Sequence, residues 1–209
     1  MGRGAFITFE GSEGSGKSTH SKLLCAYLRS RGFKVVFIRE PGSTRIGEKI
    51  RKILLDKKND RMTMETEMLL YMASRAQLVK EVIMPALKAR KAVICDRFLD
   101  STLAYQGYGA GLDLADIKNV GRFATLSVKP DLTIFLDIDT KTGLSRTGKT
   151  RDRIEVRPIS FHQRVRRGYL KLAGLEPGRI KVVRVNHSRA KTQKQIREFA
   201  EKILCRLGR

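Results

Sequence analysis

The sequence predicts an α/β fold of three layers, in which a five-stranded parallel sheet lies between helices. Five short runs rich in Val, Ile and Phe are distributed along the 209 residues, and patterns of helical period lie between them. Runs of this kind are typical of strands that are buried on both faces. Alternation of strands and helices predicts parallel pairing with right-handed crossovers. The third observation is a glycine-rich segment directly after the first run.

The elements are predicted in order from these runs. The strands are expected at residues 5–9, 35–38, 92–95, 132–136 and 180–185. Helical patterns cover residues 23–28, closed by Gly32, then 46–54, 64–87, 114–128, 160–173 and 193–207, with Pro85 as a kink or an end of the third. Residues 146–158 are polar and basic, and we expect a mobile lid loop there. No linker interrupts the pattern, so residues 1–209 are expected to form a single domain.

Composition excludes several classes of protein. The chain carries 43 Lys and Arg against 21 Asp and Glu, a net charge of +22, and residues 139–209 alone contribute +14. Such a balance indicates an anionic partner. No apolar run reaches the length of a membrane span, and the chain begins with a strand instead of the apolar core of a signal peptide. Cys25, Cys95 and Cys205 are therefore expected to be buried free thiols in a cytoplasmic protein. The three histidines have no zinc-ligand spacing.

The glycine-rich segment predicts a nucleotide phosphate site. Residues 11–18 read GSEGSGKS and fit the pattern G-x-x-x-x-G-K-[ST] between a strand and an amphipathic helix. Such glycines let backbone N–H groups turn toward phosphate oxygens at the start of a helix. Lys17 is expected to reach the β- and γ-phosphates of a nucleoside triphosphate, and Ser18 to offer its hydroxyl to Mg²⁺. The predicted contacts with its phosphates are Gly11, Ser12, Glu13, Gly14, Ser15, Gly16, Lys17, Ser18 and Thr19. The fold is therefore expected to be that of the P-loop NTPases.

A second polar strand end follows residues 92–95. Asp96 is the expected carboxylate for Mg²⁺ or its waters. Arg97, directly after it, is expected to face the same cleft and to bind phosphate. A surface ion pair between the two is the alternative. Asp137, after the fourth strand, is a weaker metal candidate, and with Asp139 it has the alternative role of capping the next helix.

Six segments in register resemble thymidylate kinases of the bacterial type. No GTPase signature is present, and the chain is short for a helicase or transporter motor. The matching segments span residues 6–18 (FITFEGSEGSGKS), 39–51, 69–77, 96–111 (DRFLDSTLAYQGYGAG), 130–137 and 152–172. The resemblance is weakest at 146–151 and after residue 173, and Phe98 stands where Tyr is more usual. It implies transfer of the γ-phosphoryl group of ATP to dTMP with Mg²⁺, in a cytoplasmic homodimer.

The resemblance also implies roles for residues on the acceptor side. Glu13 is placed near the 3′-hydroxyl of dTMP and the metal, with an exposed loop carboxylate as the alternative. Arg51 is placed on the acceptor phosphate, with a solvated helix charge as the alternative. Tyr71 stacks on thymine, with an ordinary core aromatic as the alternative. The other residues so implied are Arg39, Glu40 and Pro41 in the acceptor loop, Arg75 at the base O4, and Arg97, Ser101, Thr102, Tyr105 and Gln106 around the nucleoside.

Catalysis of this reaction needs cations around the transferred group. Lys17, Arg97 and Mg²⁺ held by Ser18 and Asp96 are expected to supply part of the charge. The phosphate loop has Ser15 where one subtype has arginine, so the lid is expected to provide the remaining cation. Arg151 is the first candidate and Arg146 the second. Arg153 is the candidate for holding the base of the lid.

Two other functions compete with this interpretation. Another nucleoside monophosphate kinase would share the phosphate loop and the lid, but it leaves the set Tyr71, Arg75 and Thr102–Gln106 unexplained. A nucleic-acid-binding NTPase is suggested by the net charge of +22. The aromatic residues do not interleave with the basic ones as they do in single-strand binders, so no specific nucleic acid is expected.

Overall fold

The computed structural model describes residues 3–148, 152–185 and 188–206, with Arg206 described through its backbone alone. Its strands are β1 (Phe6–Glu10), β2 (Val35–Arg39), β3 (Ala92–Asp96), β4 (Leu132–Asp137) and β5 (Ile180–Arg184). All pairs are parallel, and the strand order is β2-β3-β1-β4-β5. The predicted sheet is therefore confirmed.

Helices connect the strands and cover both faces of the sheet. They are α1 (Lys17–Ser30), α2 (Arg45–Leu55), α3 (Met64–Leu78), α4 (Met84–Lys88), α5 (Leu99–Thr102), α6 (Leu114–Thr125), α7 (Thr140–Ser145), α8 (Ile159–Leu175) and α9 (Arg189–Arg206). Wide π-helical turns extend α3 over Val79–Ile83 and α5 over Leu103–Gly109. The widened turn before α4 precedes Pro85, whose ring nitrogen has no hydrogen to donate to the preceding turn.

The core has two sides because alternate residues of each strand point to opposite faces. On one face, Ile7 and Phe9 pack with Leu24 of α1 and Ile196 of α9. On the other face, Phe6 packs with the segment after α3, while Phe135 and Ile180 pack with α8 and the turns after α5. These aliphatic and aromatic side chains are fully or almost fully buried, which contributes about 1.5–3 kcal/mol each.

Several helix boundaries follow from polar caps. The side chains of Thr44, Thr63, Asp113 and Asp139 accept hydrogen bonds from the first turns of α2, α3, α6 and α7. Asp139 thus has the capping role that the sequence had left open for it. Helix α7 and the helical segment from α5 to Gly109 were not predicted.

One expectation from the sequence was wrong. Cys25 and Cys95 are buried, but Cys205 is exposed, because the buried stripe of α9 runs through Ile196, Ala200 and Leu204 and Cys205 lies about 100° beyond it. Within the expected lid, residues 146–158, Arg153 and Ile154 are buried, 8% and 5% exposed. Lys149, Thr150 and Arg151 lie outside the described residues. Among the helices described, none is long and apolar enough to cross a membrane.

Candidate active site

A cavity of about 280 Å³ opens at the carboxyl ends of β1, β2 and β3, which is where ligands bind in sheets of this type. Many residues predicted from the sequence line it: Glu13, Gly14, Lys17, Ser18, Arg39, Glu40, Pro41, Arg51, Tyr71, Asp96, Arg97, Ser101, Thr102, Tyr105 and Gln106. Four lining residues were not predicted, namely Leu55, Asp152, Ile154 and Glu155. The cavity therefore joins the phosphate loop to the walls formed by α2, α3 and the segment that follows β3.

The phosphate loop curls around its own lysine. Gly14 and Gly16 have φ angles of 67° and 84°, in the left-handed region that favours glycine. The Lys17 ammonium lies inside the loop, 7% exposed, and donates to the Ser12 carbonyl oxygen at 2.8 Å. Burial, followed by repulsion from Arg97, lowers the pKa of Lys17 to about 8, although Glu13 and Asp96 oppose this change. An anion inside the loop would restore the charged form.

Ser18 and Asp96 meet at the start of α1. The Ser18 hydroxyl donates to Asp96 Oδ2 at 2.5 Å, and Asp96 is 8% exposed. A hydroxyl and a carboxylate oxygen side by side, beside a phosphate loop, match the oxygen ligands that Mg²⁺ uses together with phosphates and waters. No group of three or more acidic, His or Cys ligands occurs within the described ranges. The donor set therefore fits a nucleotide-bound Mg²⁺ and no all-protein metal cage.

Arg97 is fixed at the centre of the cavity. Its φ of 71° is left-handed for a residue with a side chain. Nη2 contacts Glu13 Oε1 at 2.9 Å, Nη1 donates to the Gly11 carbonyl oxygen at 3.1 Å, and the guanidinium lies 4.9 Å from the Tyr105 ring centroid. The expected alternative, a surface ion pair with Asp96, is absent from the ion pairs of the described residues. Arg97 instead joins the phosphate loop to the nucleoside wall.

Glu13 is not the exposed loop carboxylate that was its alternative. Its side chain is 9% exposed, and Tyr105 donates to Oε2 at 2.6 Å. Burial by itself raises the pKa of Glu13, but Arg97 and Lys17 outweigh burial, so its pKa lies below the usual value. Glu13 is therefore an anion held between two cations at the edge of the phosphate loop.

The loop after β2 and helix α2 bring cations to the acceptor side. Arg51 Nη1 donates to the Pro41 carbonyl oxygen at 3.0 Å, and burial lowers the pKa of Arg51, with Arg39 adding to that effect. Arg39 is paired with Glu48 at 3.0 Å, and both side chains are more than 40% exposed. Arg51 is thus a partly buried cation at the cavity wall and not a fully solvated helix charge.

Tyr71 and Arg75 lie one helical turn apart on α3, but only Tyr71 lines the cavity. Arg75 is 1% exposed and lies behind the wall. It donates to Glu40 Oε2 at 2.7 Å, to Thr102 Oγ1 at 3.0 Å and to the Phe98 carbonyl oxygen at 3.0 Å. Arg75 therefore reaches the cavity through Thr102 and Glu40, which both line it.

Two buried carboxylates support the nucleoside wall, and neither was predicted. Glu67 accepts from Gln106 at 2.7 Å and from Arg153 and Arg157 at 2.5 and 2.6 Å, so Arg153, the candidate for the base of the lid, is bonded to α3. Glu10 accepts from Ser101 at 2.5 Å. Burial, followed by repulsion from Asp100, raises the pKa of Glu10 to about 7. The signal in the sequence for Glu10 was a charged residue at the end of an apolar strand, whereas Glu67 lies within α3 and had no such signal.

Of the two lid arginine candidates and the acidic end of β4, Arg146 and Asp137 are among the residues that the structure describes, and neither lines the cavity. Arg146 is exposed and follows α7 beside the phosphate loop, where a Cβ at Gly14 would stand 3.1 Å from its Cβ. Arg151 lies outside the described residues. Asp137 is paired with Arg166 at 2.6 Å and does not line the cavity. Of the two acidic strand ends considered for a metal, only Asp96 therefore faces the cavity.

Comparison with known proteins agrees with this geometry. A family model described as thymidylate kinase matches residues 9–196. The thymidylate kinase of Geotalea daltonii is 51% identical over 189 residues, which cover 86% of this chain and 88% of the relative. The thymidylate kinase of Symbiobacterium thermophilum is 48% identical over 202 residues, which cover 96% and 94%. A crystal structure of thymidylate kinase from Ehrlichia chaffeensis superposes with a TM-score of 0.79 at 34% identity, covering 95% of this chain and 98% of the other.

Proposed function

Because this chain belongs to the thymidylate kinase family, and therefore catalyses the transfer of a phosphoryl group from ATP to dTMP to form dTDP, we propose that the reaction takes place in the cavity around Arg97. The single observation that supports this placement is the position of Arg97. Its guanidinium contacts Glu13 of the phosphate loop and lies over the ring of Tyr105, which lines the same cavity and donates to Glu13. A cation at that point is adjacent to both the donor and the acceptor.

The donor phosphates bind at the phosphate loop. The amides of Gly11–Gly16 and the first turn of α1, including Thr19, face the triphosphate of ATP. Lys17 turns from the Ser12 carbonyl oxygen to the β- and γ-phosphates. Ser18 and Asp96 would hold Mg²⁺, directly or through water, and the bound ion would neutralise phosphate charge. The side-by-side oxygens of these two residues support this assignment.

The acceptor binds on the other side of the cavity. Arg51, with Arg39 nearby, binds the phosphate of dTMP. Tyr71 stacks on thymine, and Thr102, held by Arg75, meets the edge of the base. Gln106, Glu40 and Pro41 complete that wall, while Tyr105 crowds the ribose 2′ position and Glu13 lies near the 3′-hydroxyl. This arrangement favours a deoxynucleotide by steric exclusion.

The transfer itself needs alignment and charge neutralisation more than covalent chemistry. A phosphate oxygen of dTMP attacks the γ-phosphorus of ATP as the bond to the bridging oxygen breaks. Lys17 and Arg97 share the negative charge that develops on the transferred group. A lid arginine adds a further cation. Arg151 and Arg146 are the candidates, and the proximity of Arg146 to Gly14 supports the second.

The chain acts as one catalytic domain, residues 1–209, within a cytoplasmic homodimer. The dimer proposal rests on exposed apolar side chains of three neighbouring helices, with α3 between α2 and α6. These side chains are Ile46, Ile53, Leu69 and Phe123, together with Leu126 directly after α6. The cytoplasmic location is supported by the three unpaired cysteines and by the need for ATP.

The acceptor site is tested by comparing two neighbours on α2. Arg51→Ala should raise the KM for dTMP about 10- to 100-fold, because a charge-assisted bond to phosphate is lost, and it should leave the KM for ATP nearly unchanged. Lys52→Ala is the matched control, since Lys52 is exposed and does not line the cavity. Equal KM values for dTMP in the two variants would contradict the assignment of Arg51.

A further inference from the structure

A carboxylate that no ligand could touch lies directly beneath the cavity. Glu10, the last residue of β1, has no exposed surface and does not line the cavity. Its Oε1 accepts from the Phe98 amide at 2.7 Å. Its Oε2 accepts from the Ser101 hydroxyl at 2.5 Å and from the Tyr169 hydroxyl at 2.8 Å. Burying a charge is costly unless it is fully hydrogen-bonded, so the function of this carboxylate needs an explanation.

The same two hydroxyls also contact Arg97. Arg97 Nη1 donates to Ser101 Oγ at 3.3 Å and to Tyr169 Oη at 3.4 Å. An ionised carboxylate can only accept hydrogen bonds. When both hydroxyl protons point to Glu10, the lone pairs of both oxygens are left to the guanidinium. In that arrangement of protons both hydroxyls, which lie 2.8 Å apart, serve as acceptors for Arg97.

Glu10 also holds the backbone at Arg97. The left-handed φ of 71° at Arg97 is unfavourable for a residue with a side chain. The N–H groups on both sides of its α-carbon are bound to β1, Arg97 N–H to the Phe9 carbonyl oxygen at 2.9 Å and Phe98 N–H to Glu10 at 2.7 Å. The strand end therefore fixes both the backbone and the side chain of Arg97.

We propose that Glu10 is a positioning residue of the phosphoryl transfer, which acts through Ser101, Tyr169 and the Phe98 amide to hold the Arg97 guanidinium between the donor and acceptor sites. The inference rests on the proposed function of Arg97. It assigns to Glu10 no contact with either substrate.

Glu10→Gln tests the inference with little change in volume. A glutamine has one acceptor oxygen, and the Phe98 amide requires it, so the side-chain NH₂ must face the two hydroxyls and compete with Arg97 for their lone pairs. At pH 8, where Glu10 is mostly ionised, we expect kcat to fall about 10- to 100-fold, as for a catalytic group displaced by about 1 Å. The KM values for ATP and dTMP should change less than about threefold, since loss of an interaction made in the transition state lowers kcat without a matching rise in KM.

The decisive experiment is a double-mutant cycle with Arg97→Ala. Removing the Arg97 cation should lower kcat about 100- to 1,000-fold, and adding Glu10→Gln to that variant should lower it no further, because the group that Glu10 positions is gone. Glu67→Gln is the control, since Glu67 is equally buried but bonds to Gln106, Arg153 and Arg157. In the double variant, the reductions in kcat caused by Glu67→Gln and by Arg97→Ala should multiply.

Tyr169→Phe provides a second cycle if Glu10→Gln fails to fold, because it removes one hydroxyl link and keeps the ring that stacks on Phe135. Independent effects of Glu10→Gln and Arg97→Ala, or a kcat within twofold of the unmodified enzyme in Glu10→Gln, would overturn the inference while leaving the function of Arg97 intact. A nearly unchanged kcat in Arg97→Ala would overturn the proposed function of Arg97 and the inference together.

Discussion

Lys17 is the residue whose charge depends most directly on the substrate. Because burial and then repulsion from Arg97 lower the pKa of Lys17 to about 8, a substantial fraction of its ammonium groups is neutral in the free protein at pH 8. Phosphate oxygens favour the protonated form and raise that pKa. ATP binding therefore takes up a proton at this residue, and ATP affinity must fall as the pH rises above about 8.

Calorimetry can measure this proton uptake. Titration of a non-hydrolysable ATP analogue at pH 8, in two buffers of different ionisation enthalpy, should show an uptake of about half a proton per site. Lys17→Arg, whose guanidinium stays protonated, should show no such uptake. An equal uptake by both proteins would exclude Lys17 as its source.

Single residues divide into those that a pattern reveals and those that only packing reveals. The phosphate loop was predictable because its glycines, lysine and serine are adjacent in the chain. Glu10 and Glu67 were not, because their partners lie far away in sequence: Tyr169 is 159 residues from Glu10 and Arg157 is 90 residues from Glu67. Spacing along one chain does not encode such contacts.

At the scale of elements, helix α7 supports the phosphate loop. Gly143 of α7 lies against Glu13, where a Cβ would stand 2.5 Å from the Glu13 carbonyl oxygen and 3.2 Å from the Ile138 side chain. The helix must therefore move away if any side chain is added there. Overpacking of this kind costs about 1–3 kcal/mol.

Gly143→Ala should accordingly raise the KM for ATP, by about tenfold if the strain is relieved by displacing the phosphate loop. Gly174→Ala is the control, because no atom lies within 4 Å of its added Cβ. In an exposed helix position that substitution should stabilise the fold by about 0.5–1 kcal/mol and leave the kinetics unchanged. If the KM for ATP of Gly143→Ala equals that of the unmodified enzyme, then α7 does not determine the geometry of the phosphate loop.

The elements found from sequence were those with strong apolar periodicity. All five strands and most long helices were found within a few residues of their ends. Helix α7 is only six residues long, and its buried residues are Thr140 and Gly143, which form no apolar stripe. The segment from α5 to Gly109 has no apolar helical period in its sequence, because some of its buried residues are polar. These residues, including Ser101 and Gln106, are buried with hydrogen-bond partners.

Over the whole molecule, the net charge of +22 is only partly accounted for by the site. Lys17, Arg39, Arg51 and Arg97 face the cavity. Other arginines pair with acids elsewhere, as Arg179 does with Asp100 and Arg166 with Asp137. Charge therefore indicated an anionic ligand correctly, but it did not locate that ligand, because surface cations contribute to the sum as much as buried ones.

The proposed dimer is tested at its exposed apolar face. Phe123 is 82% exposed on α6. Phe123→Asp should shift the particle from twice the chain mass of 23.6 kDa toward the monomer, because an unpaired charge is costly to bury in an interface. Leu175→Asp is the control, since Leu175 is 70% exposed at the end of α8, outside that face. Light scattering that gives a dimer for both variants would exclude Phe123 from the interface.

The most direct test of the account is a comparison of acceptors. Purified protein is assayed with ATP and dTMP, dUMP, dCMP, dGMP or AMP under identical conditions, and kcat/KM is determined for each acceptor. We expect dTMP to be preferred, with dUMP lower by about 10-fold or more, since one missing methyl group in a fitted pocket has that effect, and with purine nucleotides lower still. An equal kcat/KM for dTMP and AMP would contradict the account.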